Sequence, residues 1–340
     1  MRADFDHSRD IFTTPACRPI PDSAQHLYGP RQRQLQRSLQ QQQQHRERHH
    51  QQEAHIIMRT TCFIAAASAL SCTTDAFCFS PARMSSGDVL APFHAGKALK
   101  VISGLNKFDA DLVSKVARAA AAGGGTHIDI ACDPDLVRAA KAVSNVPVCV
   151  SAVDPELFPA CVAAGAEMIE LGNFDCFYDQ GMTFSAEDVL KMTRETIALL
   201  PTTPLSVTVP HTLDLDEQVE LAVELERLGV DVIQTEGKFS LDPSKGGVQG
   251  AIERAAPTLA AAHAISRAVS IPVMAASGLS DVTAPMALAA GARGVGVGSA
   301  VNKLNSEIGM VAVVRAISSA MGLPKPSGVE APRSVETAAA

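Results

Sequence analysis

Short apolar runs alternate with Ala-rich amphipathic stretches from Lys97 to about residue 322. The runs are Leu99–Ser103, Thr126–Ile130, Pro147–Ser151, Glu167–Leu171, Leu205–Val209, Asp231–Thr235, Pro272–Ala276 and Arg293–Val297. Each is rich in Val and Ile and about five residues long, the form of a strand buried on both faces of a parallel sheet. Helical periodicity fills the intervals, as in Asp109–Ala122 and Leu215–Leu228. Gly123, Gly165, Gly229 and Gly291 stand where helices should end, because glycine takes the left-handed cap without strain. Pro147, Pro204 and Pro272 stand at strand openings, where the missing N–H breaks no ladder bond. Eight strand–helix units in about 225 residues predict an α/β fold of the (β/α)8 TIM-barrel type. An open doubly wound sheet would need a Gly-x-Gly-x-x-Gly turn after the first strand, and Ser103-Gly104-Leu105-Asn106-Lys107-Phe108 does not supply it.

The preceding residues follow other rules. Residues 1–57 carry Gln40–Gln44, many Arg and His and little apolar periodicity, so they are expected to be a disordered Gln-rich extension. Met58 and Arg59, the apolar run Cys62–Leu70 and the small-x-small step Thr74-Asp75-Ala76 have the form of a secretory signal peptide. Translation is therefore expected to start at Met58, with 1–57 an over-extension of the gene. Phe77 to Ser86 follows with no acid before Asp88, which resembles the bipartite leaders of algae with secondary plastids. Residues 58–96 are accordingly assigned to a targeting leader, 97–322 to the barrel and 323–340 to a disordered tail.

Composition narrows the functions. Charged residues are 19% of the chain and the net charge is −7, so the overall basic field of a nucleic-acid binder is missing. No apolar run approaches the ~20 residues of a bilayer span, so no membrane partner is expected after leader removal. The eight cysteines form no Cys-x-x-Cys pair, and reduced thiols are expected in the body of the chain.

In a barrel, chemistry sits where the strands end. The seventh strand runs into Ser277-Gly278 and the eighth into Gly298-Ser299, which then opens a short helix. Glycines that admit an anion to the backbone, beside the positive end of a helix, predict a phosphate site at Ser277, Gly278, Gly298 and Ser299. Long segments after the fourth strand (172–184) and sixth strand (237–249) are expected to be lids or binding loops. Asp129, Glu170 and Glu236 lie on even strands among apolar neighbours, where burial raises a carboxyl pKa and suits proton transfer. Alternation would bring all three into one layer, which could equally hold a divalent cation; structural pairing with Lys or Arg is the competing reading. His211 is a further acid/base candidate, or a cap of the following helix. Cys132 has no His beside it in sequence, which favours a small buried thiol over a nucleophile. An imine-forming lysine would have to be Lys100, whose place near the start of the first strand argues against that chemistry.

The two Gly turns resemble those of the phosphate-binding barrels, a group that includes ribulose-phosphate enzymes, thiamin-pathway synthases and FMN-dependent oxidases. Longer strings carry a narrower likeness: Lys97-Ala-Leu-Lys-Val-Ile-Ser-Gly-Leu-Asn106, Ile128-Asp-Ile-Ala-Cys-Asp133, Ser206-Val-Thr-Val-Pro-His211, Gln234-Thr-Glu-Gly237 and Gly296-Val-Gly-Ser-Ala-Val-Asn302. Over 97–305 the chain resembles the hypothetical chloroplast reading frame 23 family, which implies a TIM barrel and a plastid setting and brings no assigned activity or catalytic residues. The resulting expectation is a plastid enzyme of isomerase or lyase type acting on a small phosphorylated metabolite, with no metal assigned. The alternatives are an FMN-dependent oxidoreductase and a non-catalytic phosphometabolite sensor. Substrate and oligomeric state are open at this level.

Overall fold

The computed structural model describes residues 86–178, 181–237 and 243–324. Each apolar run becomes one strand: β1 (Ala98–Gly104), β2 (His127–Ala131), β3 (Val148–Ala152), β4 (Met168–Leu171), β5 (Leu205–Val209), β6 (Val232–Thr235), β7 (Val273–Ala276) and β8 (Gly294–Val297). All pair in parallel with their sequence neighbours, and β1 closes on β8 through Ala98↔Gly294 to Val101↔Val297. The result is an eight-stranded closed barrel.

The helices are α1 (Ser86–His94), α2 (Ala110–Gly123), α3 (Pro134–Val143), α4 (Phe158–Ala163), α5 (Asp175–Tyr178), α6 (Ala186–Leu199), α7 (Leu215–Leu228), α8 (Gly247–Ser266), α9 (Ala284–Ala289), α10 (Ser299–Asn302) and α11 (Glu307–Ala320). Side chains start several of them: Asp109 accepts from the amides of Asp111 and Leu112, and Asp133 from those of Asp135 and Leu136. Each such cap satisfies amides that a first turn leaves without partners. Helix α2 runs one residue past its expected stop, and Gly124 (φ 90°) is the left-handed cap. Gly123 serves packing instead: a Cβ there would lie 2.5 Å from Val314 of α11.

Strand residues alternate between two cores. Outward side chains such as Leu99, Val101, Ile128, Ile130, Val207 and Ile233 pack under the helices. Inward side chains at the strand starts, Ala98, Cys149, Met168, Val232 and Met274, form a second cluster with Val89 and Phe93 of α1. Here the structure corrects the expected boundary at residue 97. Helix α1 is part of the barrel body and closes its amino-terminal end, with Phe93 fully buried. The ring of His127, at the start of β2, lies 4.8 Å from that of Phe93, and its Nε2 bonds the Val89 carbonyl at 2.8 Å. At the other end of the chain Met321 and Leu323 are still buried. The expected extension (1–57), the leader up to residue 85 and the tail from 325 lie outside the described residues. Among the described residues, no helix is long and apolar enough to cross a membrane.

Candidate active site

With α1 closing one end, the polar interior lies toward the carboxyl ends of the strands. Lys100 points into the barrel from β1. Its Nζ donates to Glu170 Oε2 at 2.6 Å and lies 3.3 Å from Asp129 Oδ2. These side chains are at most 1% exposed. Burial alone would lower the lysine pKa, but the Asp129 and Glu170 carboxylates override it and hold the ammonium protonated, well above lysine's ordinary value. Burial pushes Glu170 the other way, toward holding its proton, against the pull of Lys100. One lysine thus serves two buried carboxyl groups.

Neutral side chains complete this centre. Thr208 Oγ1 donates to Glu170 Oε1 at 2.5 Å, and the Ser151 hydroxyl donates to Asp129 Oδ1. Asn173 Nδ2 donates to Asp129 Oδ2 at 3.1 Å and to Ser151 Oγ at 2.8 Å. Gln234 Nε2 donates to Asn173 Oδ1 at 2.8 Å and to Thr208 Oγ1 at 3.0 Å. Both amide groups thus spend both hydrogens inside the network. Asn173 adopts φ 62°, a left-handed conformation that asparagine tolerates better than most residues. The preceding Gly172 (φ 144°) admits the close approach of β5, since a Cβ would sit 2.3 Å from Thr208 Cβ.

Glu236 belongs to a second centre. It lies one residue beyond β6, buried at 4% exposure. Its Oε1 accepts from the Asp175 amide at 3.0 Å, and its Oε2 from Tyr178 Oη at 2.5 Å and His211 Nδ1 at 3.2 Å. The Tyr178 and His211 rings meet edge to face with centroids 4.5 Å apart. Burial and the Glu236 carboxylate keep the Tyr178 phenol protonated. A carboxylate only accepts, so Nδ1 of His211 carries the hydrogen toward Glu236, and Nε2 is the nitrogen left to exchange a proton. Asp175, His211 and Glu236 each place one ligand-type atom within 4.8 Å of the others, so this trio has the spacing to share a cation. Asp129 and Glu170 also form such a group, with Cys149, but Lys100 Nζ already lies between their carboxylates.

The three carboxylates therefore do not form one layer. Gln234 is the β6 residue that joins Asp129 and Glu170, and Glu236 stands one strand repeat higher, at the rim. Period-two alternation identifies which side chains point inward but not their height in the barrel, which the strand stagger sets.

The phosphate candidates follow two neighbouring strand ends, since β7 pairs with β8 through Ala276↔Gly296. Ser277 (φ 85°) and Gly278 (φ 69°) are consecutive left-handed residues. Gly278 has no room for a side chain, because a Cβ would lie 2.7 Å from the Arg254 carbonyl. Thr258 Oγ1 bonds the carbonyls of Ala276 (3.1 Å) and Ser277 (2.9 Å) and holds this turn from outside. After β8, the Gly298 carbonyl accepts from Val301 and Asn302 at 2.9 Å and opens α10. The Ser299 and Ala300 amides occupy its first turn, where a helix offers no internal acceptor. Asn302 Nδ2 ties this turn to the end of β1 through the carbonyls of Ile102 (2.7 Å) and Ser103 (2.8 Å).

Sequence reasoning missed Asn173, Ser151, Tyr178 and Asp175, and it set Lys100 aside. Asn173 lies in the loop after β4 and Tyr178 in the one-turn helix α5 that follows, where no periodicity marks a side chain as central.

Residues 84–325 match a family described as Protein of unknown function (DUF561). Curated relatives include an uncharacterised protein ycf23 of Cyanophora paradoxa, 49% identical over 65% of this chain and 91% of its own. Another, from Porphyra purpurea, is 37% identical over 69% of this chain and 89% of its own. Similar solved structures include a geranylgeranylglyceryl phosphate synthase (GGGPS) from Thermoplasma volcanium, at TM-score 0.49 and 14% identity over 73% of this chain and 99% of that one. A thiamine phosphate pyrophosphorylase from Pyrococcus furiosus has TM-score 0.46 and 19% identity, over 67% and 96%.

Proposed function

This chain belongs to the DUF561 family, whose matching relatives are the ycf23 proteins, and from that premise we propose that it is a plastid enzyme moving protons on a small phosphorylated metabolite. The observation that carries the reading is the rim relay. Glu236 fixes the tautomer of His211, Tyr178 fixes Glu236, and a single imidazole nitrogen remains for a substrate proton. A histidine so oriented, with one ring nitrogen held by a carboxylate and the other left for a substrate, suits general acid–base catalysis. The turns after β7 and β8 supply the anchor, with backbone amides of Gly278, Ser299 and Ala300 receiving the phosphoryl oxygens. Ser277 and Gly298 shape those turns, and the Ser299 hydroxyl adds a donor. Asp129 and Glu170 act from beneath: covered by Asn173 and neutralised in part by Lys100, they set the field under the substrate rather than touch it. The leader-like segment from Met58 and the algal relatives support the plastid setting.

The test is native mass spectrometry of the full-length protein for a co-purified phosphorus-containing ligand. Solvent deuterium uptake into a carbon position of that ligand is then followed. The expected result is exchange that is lost in H211A and E236Q, with binding retained, and weakened binding in G278A. Absence of any phosphorylated ligand, together with a melting temperature indifferent to millimolar phosphate, would overturn the reading.

A further inference from the structure

A thiol pair lies apart from both centres. Cys132 is the first residue after β2, and Cys161 lies in α4. Their sulfurs are 3.5 Å apart, in contact, with the Cys132 thiol donating. Cys161 is fully buried and Cys132 half-buried, so Cys132 is the more exposed member of the pair. The backbone around Cys132 is held on both sides, by the Ala131–Asp133 turn and by the Asp133 cap of α3, while Cys132 itself belongs to no helix or strand. A side-chain rotation that closes about 1.5 Å would bring the sulfurs to bonding distance.

We propose that Cys132 and Cys161 form a reversible disulfide, and that the co-substrate of this modification is an external disulfide. The Cys132 thiolate attacks one sulfur of that disulfide; a new S–S bond forms and the first thiol leaves. The Cys161 thiolate then attacks Cys132 Sγ, the mixed disulfide breaks, and the second thiol leaves. Two electrons pass to the external disulfide, and the two protons released from the cysteines end on the two leaving thiols. Burial pushes the Cys132 thiol up, so its thiolate is scarce and the exchange is slow. The modification is therefore read at equilibrium rather than as a rate. Once formed, the bond would tie the mouth end of β2, three residues beyond Asp129, to the helix that follows β3. This inference does not depend on the proposed activity.

The experiment equilibrates the full-length protein in glutathione buffers of rising oxidised fraction, then denatures, alkylates and maps peptides by mass. Trypsin with a glutamate-specific protease places Cys161 on residues 157–167, apart from Cys149 and Cys176, and Cys132 on residues 119–138. The expected result is a linked 119–138/157–167 peptide that grows with oxidised glutathione, disappears with dithiothreitol and persists in C149S. Separate alkylation of both cysteines at every ratio would overturn the proposal, as would a glutathione adduct on Cys132 with Cys161 still alkylated. The wild-type map decides the matter whether or not C132S folds.

Discussion

Replacing Lys100 by Met keeps the length and removes the charge. In the wild type the ammonium lies 2.6 Å from Glu170 and 3.3 Å from Asp129, with no water-accessible surface on any of the three beyond 1%. K100M leaves the two carboxylates facing each other with only hydroxyls and amides as partners. Removing one member of a buried ion pair typically costs ~3–5 kcal/mol. For a domain of this size that is a fall in Tm of roughly 6–20 °C, at about 2–4 °C per kcal/mol. The sign of the pH dependence is also set. Without Lys100, at least one carboxyl has a folded-state pKa above its unfolded value. Such a group stabilises the fold below the unfolded pKa and loses that contribution as pH rises through the folded one. The K100M deficit should therefore be smallest near pH 4–5 and grow toward pH 8. The double variant K100M/E170Q should recover part of it, because the amide can be buried uncharged. Urea midpoints and thermal melts of wild type, K100M, E170Q and the double variant across that pH range form the assay. A K100M deficit under about 1 kcal/mol, flat with pH, would show that the centre is hydrated or uncharged and that the electrostatic reasoning fails.

Three further outcomes follow from single residues. Burial lowers the pKa of His127 to about 4 from 6.5, so its contribution to stability is complete above pH 6.5 and is lost as pH falls toward 4. That loss is on the order of 3 kcal/mol and should vanish from the pH–stability profile of H127Q, read by chemical denaturation. N173G should keep about 1 kcal/mol more stability than N173A, since both lose the amide bonds but only glycine is at ease at φ 62°; equal melting of the two would contradict the left-handed backbone. F93A empties the fully buried site under the barrel and should cost ~3–5 kcal/mol by urea titration, where a leader residue would cost nothing.

Strand positions were legible because buried parallel strands are short apolar runs with glycine caps on one side and proline openings on the other. β5 and α7 fall on the expected residues, Leu205–Val209 and Leu215–Leu228. Helix α1 was not legible, since it is short, contains Pro92 and continues a leader-like composition. The polar interior was half legible. An acid flanked by Ile on an apolar strand announces that something must neutralise it, which singles out Asp129 and Glu170. It does not say that the partner is a lysine on β1, because a lysine's four-carbon stem carries its charge far from its own strand position. Asn173 left no sequence signal, as its role depends on a backbone sign that only the folded loop displays.

The seating of α1 against the starts of the strands also fixes where the molecule can be handled. A surface attachment or fluorescent label introduced at His94 or Ala95 would sit at the pole opposite the openings of β5 to β8. A chip-bound or labelled form made this way should leave the turns after β7 and β8 unobstructed, whereas the same attachment at Ser299 would stand on one of them.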